Sequence, residues 1–175
     1  MKFQMTASHP YAGWMAAGQV PPPAEPQWLS PDEDETWRAL HLVISTLPGA
    51  LGDQLRLAVD LSFLEYYVMA VLSEQAGRAM RMSQLAVLAS SELSRLSHLT
   101  IRLEKRGLVR REPDPEDGRF TRAILTAEGL ALVVKAAPGH VEQVRRLVFD
   151  VLDEAEQHAL KRALTKILPK LIGNC

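Results

Sequence analysis

The chain has 175 residues, 47% of them hydrophobic, and carries 20 lysine and arginine residues against 21 aspartate and glutamate residues. It is long enough for one domain with a hydrophobic core, and no apolar run approaches the roughly 18 residues of a membrane span. A single cysteine, Cys175, excludes an intramolecular disulfide bond and a cysteine metal cluster. We therefore expect a cytoplasmic protein that does not bind a membrane.

Residues 1–30 are rich in proline and glycine, including the run Pro21-Pro22-Pro23, and this composition favours turns and polyproline segments. They lack a sustained apolar segment, so we expect neither a secretory signal nor a transit peptide. The sequence therefore predicts an amino-terminal extension over residues 1–30 and a single domain over residues 31–175.

Two helices are predicted at the start of this domain. The first begins at Ser30-Pro31-Asp32-Glu33, where proline at the first helical position is followed by acidic residues. Its apolar face contains Trp37, Leu40, Ile44, Leu47, Leu51 and Leu55. Pro48-Gly49 falls inside this pattern and predicts either a kink or two consecutive helices. The second helix, over residues 62–75, has a broad apolar surface and should be buried on several sides.

Residues 82–106 contain the pattern of two short helices. Ser83 is predicted to cap the first, and the Ser90-Ser91 pair to cap the second. In the second helix Leu93, Leu96, Leu99 or Thr100, and Leu103 recur three and four positions apart, so they form one core-facing stripe. The opposite face carries hydroxyls, an imidazole and cations suited to base edges and phosphates: Ser91, Ser94, Arg95, Ser97, His98, Arg102 and Lys105. Gly107 is predicted to end the helix.

A charged hairpin follows these helices. Residues 108–112 and 119–125 have an extended pattern, and Pro113, Pro115 and Asp117-Gly118 between them supply turn chemistry. From Arg78 to Arg111, eight cations stand against two acids, so basic charge is concentrated locally although the whole chain is nearly neutral. Residues 61–126 therefore have the layout of a winged helix that binds duplex DNA.

Downstream, a long helix is predicted to open at residues 126–129 and to be interrupted at Pro138-Gly139, and a final helix begins near residue 153. The final helix has more apolar surface than one contact needs, which indicates a subunit interface. We expect residues 31–60 and 127–172 to form the dimerisation helices of a homodimer. The predicted fold is mainly α with a small β-wing, and two-fold symmetry predicts a near-palindromic DNA site.

Three blocks of sequence follow one another in a specific order: residues 102–109 (RLEKRGLV), residues 114–119 (DPEDGR) and residues 125–129 (LTAEG). Because of these three blocks, the chain resembles the MarR-type transcriptional regulators. The resemblance covers about residues 31–171. The resemblance implies that residues 91–106 form the recognition helix, from which Ser94, Arg95, Ser97 and His98 touch bases and nearby phosphates. It also implies that the wing tip, Asp117, Gly118 and Arg119, places the arginine in the minor groove while the aspartate holds it. His98 and Gly118 stand where many family members have arginine.

The same resemblance implies a ligand-responsive repressor. The aromatic set Trp37, Phe63, Tyr66 and Tyr67, with His41, is a candidate pocket for a small-molecule effector, and plain core packing is the alternative for these residues.

Two other readings stay open from the sequence. A winged helix with an arginine-rich face also suits docking of an acidic protein partner. A metal-responsive regulator is the other alternative, although no pair among the five histidines has metal-ligand spacing. No cluster of serine, histidine and acid suggests catalysis, so we expect neither an enzyme nor a cofactor.

Overall fold

The computed structural model of the chain describes residues 26–172. The predicted extension up to residue 25 and the terminal Cys175 therefore lie outside the described residues. The described residues fall into two units, residues 26–39 and residues 40–172, and the boundary between them lies inside the first helix. The described elements are α1 (Pro31–Val59), α2 (Phe63–Ser73), β1 (Ala79–Arg81), α3 (Met82–Leu88), α4 (Leu93–Lys105), β2 (Val109–Pro113), β3 (Thr121–Leu125), α5 (Ala127–Val144) and α6 (Glu154–Ile172). None of the described helices combines the length and hydropathy that a membrane span requires.

Helix α1 begins with a reciprocal cap and is continuous. The backbone N–H of Ser30 donates to Glu33 Oε2 at 2.8 Å, and the N–H of Glu33 donates to Ser30 Oγ at 3.3 Å. The helix runs through Pro48, so the prediction of two consecutive helices is wrong. Proline removes one N–H donor, and the helical turns on either side are long enough to keep the segment helical.

Helix α2 is the centre of the core. Its capping box pairs Ser62 with Glu65, whose carboxylate accepts from the Ser62 N–H at 2.9 Å and from its hydroxyl at 2.8 Å. The side chains of Val68, Met69 and Leu72 are fully buried, as predicted for this helix. The core also contains Leu55, Leu61, Leu85, Leu96, Leu99, Leu103, Val109, Ala123, Leu125 and Val133.

Helices α3 and α4 form the helix-turn-helix, with ends that differ from the predictions. Neither Ser83 nor Ser91 caps a helix: α3 starts after Arg81 and α4 after Glu92, and neither of these residues caps its helix with a side-chain hydrogen bond. Helix α4 therefore starts two residues later than expected, because Ser90 takes a positive φ of 45° and Ser91 remains in the turn. Leu93 does not join the buried stripe and is half-exposed.

The carboxyl end of α4 is closed as predicted. Gly107 has a φ of 72°, its N–H donates to the Glu104 carbonyl at 2.9 Å, and the Leu108 N–H donates to the Leu103 carbonyl at 3.0 Å. This pair of bonds is a Schellman motif, which glycine allows because it lacks a Cβ atom.

Three strands form one antiparallel sheet in the order β1-β3-β2. The sequence predicted the hairpin of β2 and β3, with the second strand starting two residues too early, and missed β1. Strand β1 has only three residues, and they run directly into α3, so they show no alternation of their own. In the sheet Arg81 lies opposite Arg122, and Arg122 lies opposite Glu112.

The connection from the sheet to α5 needs glycine at one position. Thr126 caps α5 by accepting from the Gly129 N–H at 3.0 Å, and the Thr126 hydroxyl donates to the Gly107 carbonyl at 2.8 Å. A Cβ atom at Gly129 would lie 2.1 Å from the Leu108 carbonyl oxygen. Gly129 therefore lets α5 start directly against the end of α4.

Helix α5 continues through Pro138, so the expected interruption at Pro138-Gly139 is wrong. The regular helix ends later, at Val144, in a π-helical turn over Arg145–Phe149. Helix α6 follows and has no buried side chain among its described residues, up to Leu171. Its large apolar side chains are therefore uncovered in a single chain.

Candidate nucleic-acid interface

Helix α4 divides its side chains between the core and solvent. Leu96, Leu99, Thr100 and Leu103 are buried. Because successive residues of an α-helix are about 100° apart, the centre of the opposite face is formed by Ser94, His98 and Lys105, which are exposed. A hydroxyl, an imidazole and an ammonium group therefore occupy the part of the helix that can approach a base edge most closely.

The remaining polar residues of α4 lie on the two sides of this face. Ser97, which is half-buried, lies toward the wing. Arg95 and Arg102 lie toward α1 and the start of α2. Ser91 was predicted as part of the helix and instead sits in the turn before it, where its N–H donates to the Ala86 carbonyl at 3.0 Å.

Most of the local cations are paired within the protein. Of the eight cations counted from the sequence, five form ion pairs between described residues: Arg81 with Asp114 and Glu116, Arg102 with Glu65, Arg106 with Asp60, Arg110 with Glu112, and Arg111 with Glu104. Arg78, Arg95 and Lys105 have no ion pair with another described residue. The sequence count therefore overstates the positive charge that is free to meet phosphate.

Arg102 and Arg106 connect α4 to the segment between α1 and α2. Arg102 Nη2 lies 3.5 Å from Glu65 Oε1, and Arg106 Nη1 donates to the Asp60 carbonyl at 2.9 Å. These two arginines therefore brace α4 against α2 and the segment before it, while Glu104 pairs with Arg111 at 2.7 Å.

At the wing tip Arg119 and Asp117 form a two-pronged pair. Arg119 Nε donates to Asp117 Oδ1 at 2.9 Å and Nη2 donates to Oδ2 at 2.6 Å, while the Arg119 backbone N–H also donates to Oδ1 at 3.1 Å. These bonds hold the pKa of Asp117 below its ordinary value. The Arg119 side chain nevertheless remains 85% exposed. The arginine is thus oriented by its neighbour and still open to a ligand.

The base of the wing is held by a second aspartate, Asp114, which is buried. Arg81 Nε donates to its Oδ2 at 2.8 Å and Arg81 Nη2 to its Oδ1 at 3.1 Å. Asp114 Oδ1 also accepts the backbone N–H groups of Glu116 at 2.9 Å and Asp117 at 3.2 Å. The Arg81 guanidinium, followed by these backbone donors, holds the pKa of Asp114 far below its usual range.

The Phe120 ring completes this support, because its centroid lies 5.0 Å from Arg81 Cζ. Sequence reasoning missed both contacts. An aspartate before a turn is a local signal for the loop, but its arginine partner lies 33 residues earlier in the chain.

The predicted effector residues are only partly brought together. Phe63 lies 6.1 Å from Tyr67, centroid to centroid, and Tyr66 lies 4.6 Å from His140, which the sequence did not select. Burial lowers the pKa of His140 and raises that of Tyr66. The side chains of His41 and Trp37, both on α1, are exposed.

A groove of about 750 Å³ lies between α1, the start of α2 and α4. Phe63 lines it, together with Pro48 and Gly52 of α1 and with Arg95 and His98 of α4. Side chains from the polar face of α4 therefore form one wall of this groove. Among the described residues, no group of three or more histidine, cysteine, aspartate or glutamate side chains is arranged to hold a metal ion.

Comparisons with known proteins agree with this geometry. A MarR family model matches residues 59–119. The transcriptional regulator HosA of Escherichia coli O111:H- is 38% identical over 81 residues, which are 45% of this chain and 57% of HosA, so that match spans little more than half of the relative. The regulator PecS of Dickeya dadantii is 31% identical over 132 residues, 75% of this chain and 79% of PecS.

Among solved structures, Sco3205 is a MarR family transcriptional regulator from Streptomyces coelicolor, crystallised in complex with DNA. It matches with a TM-score of 0.79 and 39% identity, covering 84% of this chain and 92% of that chain. The chain belongs to the MarR family of transcriptional regulators. Its winged-helix fold, predicted from the sequence, is confirmed.

The ion pair between Arg81 and the buried Asp114, at the base of this MarR-family wing, gives a prediction about stability and pH. Because the pKa of Asp114 is lowered in the folded state, its contribution is present above the unfolded value of about 3.9 and is lost as pH falls through the folded pKa. Asp114→Asn should therefore lower the urea midpoint of unfolding at pH 7, and the difference from wild type should shrink below about pH 4.

Asp150→Asn is the matched control, because its ion pair with Arg145 is exposed and should contribute little. Both variants should be compared at one protein concentration, since association affects the midpoint. Equal midpoints for Asp114→Asn and wild type at pH 7 would contradict the structural role assigned to this pair.

Proposed function

We propose that this MarR-family protein is a cytoplasmic repressor that binds a near-palindromic duplex site as a homodimer and is released by a small-molecule effector. One observation carries the DNA-binding part of the proposal. The exposed polar face of α4 lies beside a wing whose tip presents Arg119, oriented by Asp117 and open to solvent. A helix and an arginine arranged in this way suit two adjacent grooves of one duplex.

In the proposed complex α4 enters the major groove. Ser94, Ser97 and His98 reach base edges, and Lys105 meets phosphate, whereas Arg119 enters the minor groove. Arg95 lies at the edge of the same face and is available for a phosphate. Arg102 Nη2 lies 3.5 Å from Glu65 and its side chain is 59% exposed, so it can hold α4 against α2 and still meet a phosphate.

The homodimer is supported by the uncovered face of α6. Leu160, Leu164, Ile167, Leu168 and Leu171 are all exposed in one chain. With Val148 and Phe149 they line an apolar groove of about 690 Å³. A contiguous apolar surface of this kind marks an interface, and a second copy of the chain would present the same surface around a two-fold axis.

Changing the centre of that surface tests the homodimer. Leu164→Glu should raise the dimer dissociation constant by roughly 100-fold or more, because burying an unpaired carboxylate is costly. Sedimentation at micromolar concentration should show a monomer. Val87→Glu, at an exposed valine of α3 outside both predicted dimerisation regions, is the control and should leave the mass of the complex unchanged. A dimeric Leu164→Glu protein would remove α6 from the interface.

The groove between α1, α2 and α4 supports the effector part of the proposal. It is concave and combines Phe63 and Leu64 with the polar side chains of Ser62, Arg95 and His98. Ligand sites are usually apolar with few polar groups. A ligand releases DNA only if it binds the free and DNA-bound conformations with different affinity, and a site against α4 satisfies the geometric part of this requirement.

The first experiment is selection of bound duplexes from a random DNA pool by the full chain at about 0.15 M salt. A regulator of the proposed kind enriches a near-palindrome with half-sites about one helical turn apart. Recovery of unenriched DNA would contradict sequence-specific regulation and would favour a winged helix that docks an acidic partner. Repeating the selection with zinc and with a chelator tests the metal-responsive alternative.

Arg119→Ala tests the wing. Loss of the exposed guanidinium should weaken binding by roughly tenfold, to the selected duplex and to other sequences alike. The slope of the logarithm of the binding constant against the logarithm of salt concentration should fall by about one per protomer. The control is Arg145→Ala, which removes an arginine from a similar exposed pair outside the winged helix. Unchanged affinity and slope in Arg119→Ala would show that the wing does not contact DNA.

A further inference from the structure

Leu93 is an apolar side chain in an otherwise polar part of α4. It is the first residue of the helix and is 52% exposed, whereas Leu96 and Leu103 of the same helix are fully buried. Its neighbours on the exposed side are the hydroxyls of Ser94 and Ser97. The amino-terminal residues of a recognition helix are the ones that contact base edges. Leu93 therefore stands where base contacts are made and has no hydrogen-bonding group to make them with.

The surroundings of Leu93 also point toward DNA. A cleft of about 280 Å³, which we term the wing notch, separates the start of α4 from the hairpin and is lined by Leu93, Ser97, Arg119 and Phe120, among others. Phe120 is partly exposed, as Leu93 is. The notch thus joins an apolar wall to Ser97 on one side and to the wing-tip arginine on the other. It is continuous with the surface already assigned to the duplex.

We propose that Leu93 reads the 5-methyl group of a thymine in the major groove, on the wing side of the base pair contacted by Ser97. This inference rests on the proposed DNA-binding function. Among the groups that base pairs expose in the major groove, the thymine methyl is the one apolar group larger than a ring hydrogen, and the polar groups are hydrogen-bond donors or acceptors. A leucine placed against those groups would desolvate them without replacing their bonds. The contact therefore selects thymine over cytosine at one position of each half-site.

The size of the effect follows from the size of the group. Removing one methyl from an apolar contact weakens binding by about fourfold per half-site, and by about 15-fold when both half-sites of a palindrome are changed. This is smaller than the loss of a bidentate hydrogen-bonded contact, so Leu93 refines a site that hydroxyls and cations also define. The effect is large enough to measure by direct titration.

Uracil provides the test, because it lacks only the methyl group of thymine and keeps its hydrogen-bonding edge. The duplex selected by the wild-type protein is resynthesised with each symmetric pair of thymines replaced by uracil, and each duplex is titrated with wild type and with Leu93→Ala. We expect one pair at which uracil weakens wild type by about 15-fold and leaves Leu93→Ala unaffected. Comparing the two proteins on the same duplexes cancels any effect of uracil on DNA shape.

Two further variants sharpen the result. Leu93→Met keeps an apolar side chain and should retain the sensitivity to uracil. Val87→Ala shortens an exposed side chain of α3, outside the predicted dimerisation helices, and should keep the uracil sensitivity of wild type. Uracil sensitivity that is absent in wild type, or equal in wild type and Leu93→Ala, would overturn the role of Leu93 while leaving DNA recognition intact. Failure of the wild-type protein to enrich any sequence would overturn the proposed function, and this inference with it.

Discussion

The wing depends on the contact between Arg81 and Asp114, in which the aspartate is buried. A two-stranded hairpin is marginally stable alone, so the tip that carries Arg119 needs a fixed base. Asp114 meets that requirement from the base of the loop: it takes two bonds from Arg81 and two from backbone N–H groups of residues 116 and 117. Since Arg81 is the last residue of β1 and directly precedes α3, the contact joins the wing to the helix-turn-helix. Asp117 can orient Arg119 relative to α4 only because the base of the wing is fixed.

Sequence reasoning succeeded where the signal is local. The end of α4 at Gly107, the start of α5 at residues 126–129 and the hairpin could all be predicted, because each depends on residues a few positions apart. Apart from the caps expected at Ser83 and Ser91, which are wrong, the main failures have two physical causes. Strand β1 and the partner of Asp114 depend on pairing across more than 30 residues, which no local pattern records. Pro48 and Pro138 were given too much weight, since long flanking helices tolerate the loss of one N–H donor.

The count of charged residues also predicted the surface around α4 only in part. The basic concentration around α4 is real, but most of its arginines stabilise the winged helix through carboxylates of the same chain. What remains for DNA is a small set of cations around a face of hydroxyls and one imidazole. A surface of this composition gives less nonspecific phosphate attraction and places more of the discrimination on base edges and fit. The apolar wall of the wing notch is another uncharged part of this surface.

The groove beside α4 connects recognition and regulation in the proposed mechanism. Arg95 and His98 belong to the DNA-facing helix and also line that groove. A ligand that engages these side chains competes with DNA for the same groups even before any helix moves. It can also displace α4, because Arg102 and Arg106 couple this helix to Glu65 and Asp60 at the junction of α1 and α2. Thermodynamic linkage makes the coupling reciprocal. Bound DNA must lower the affinity for the effector by the same factor by which the effector lowers the affinity for DNA.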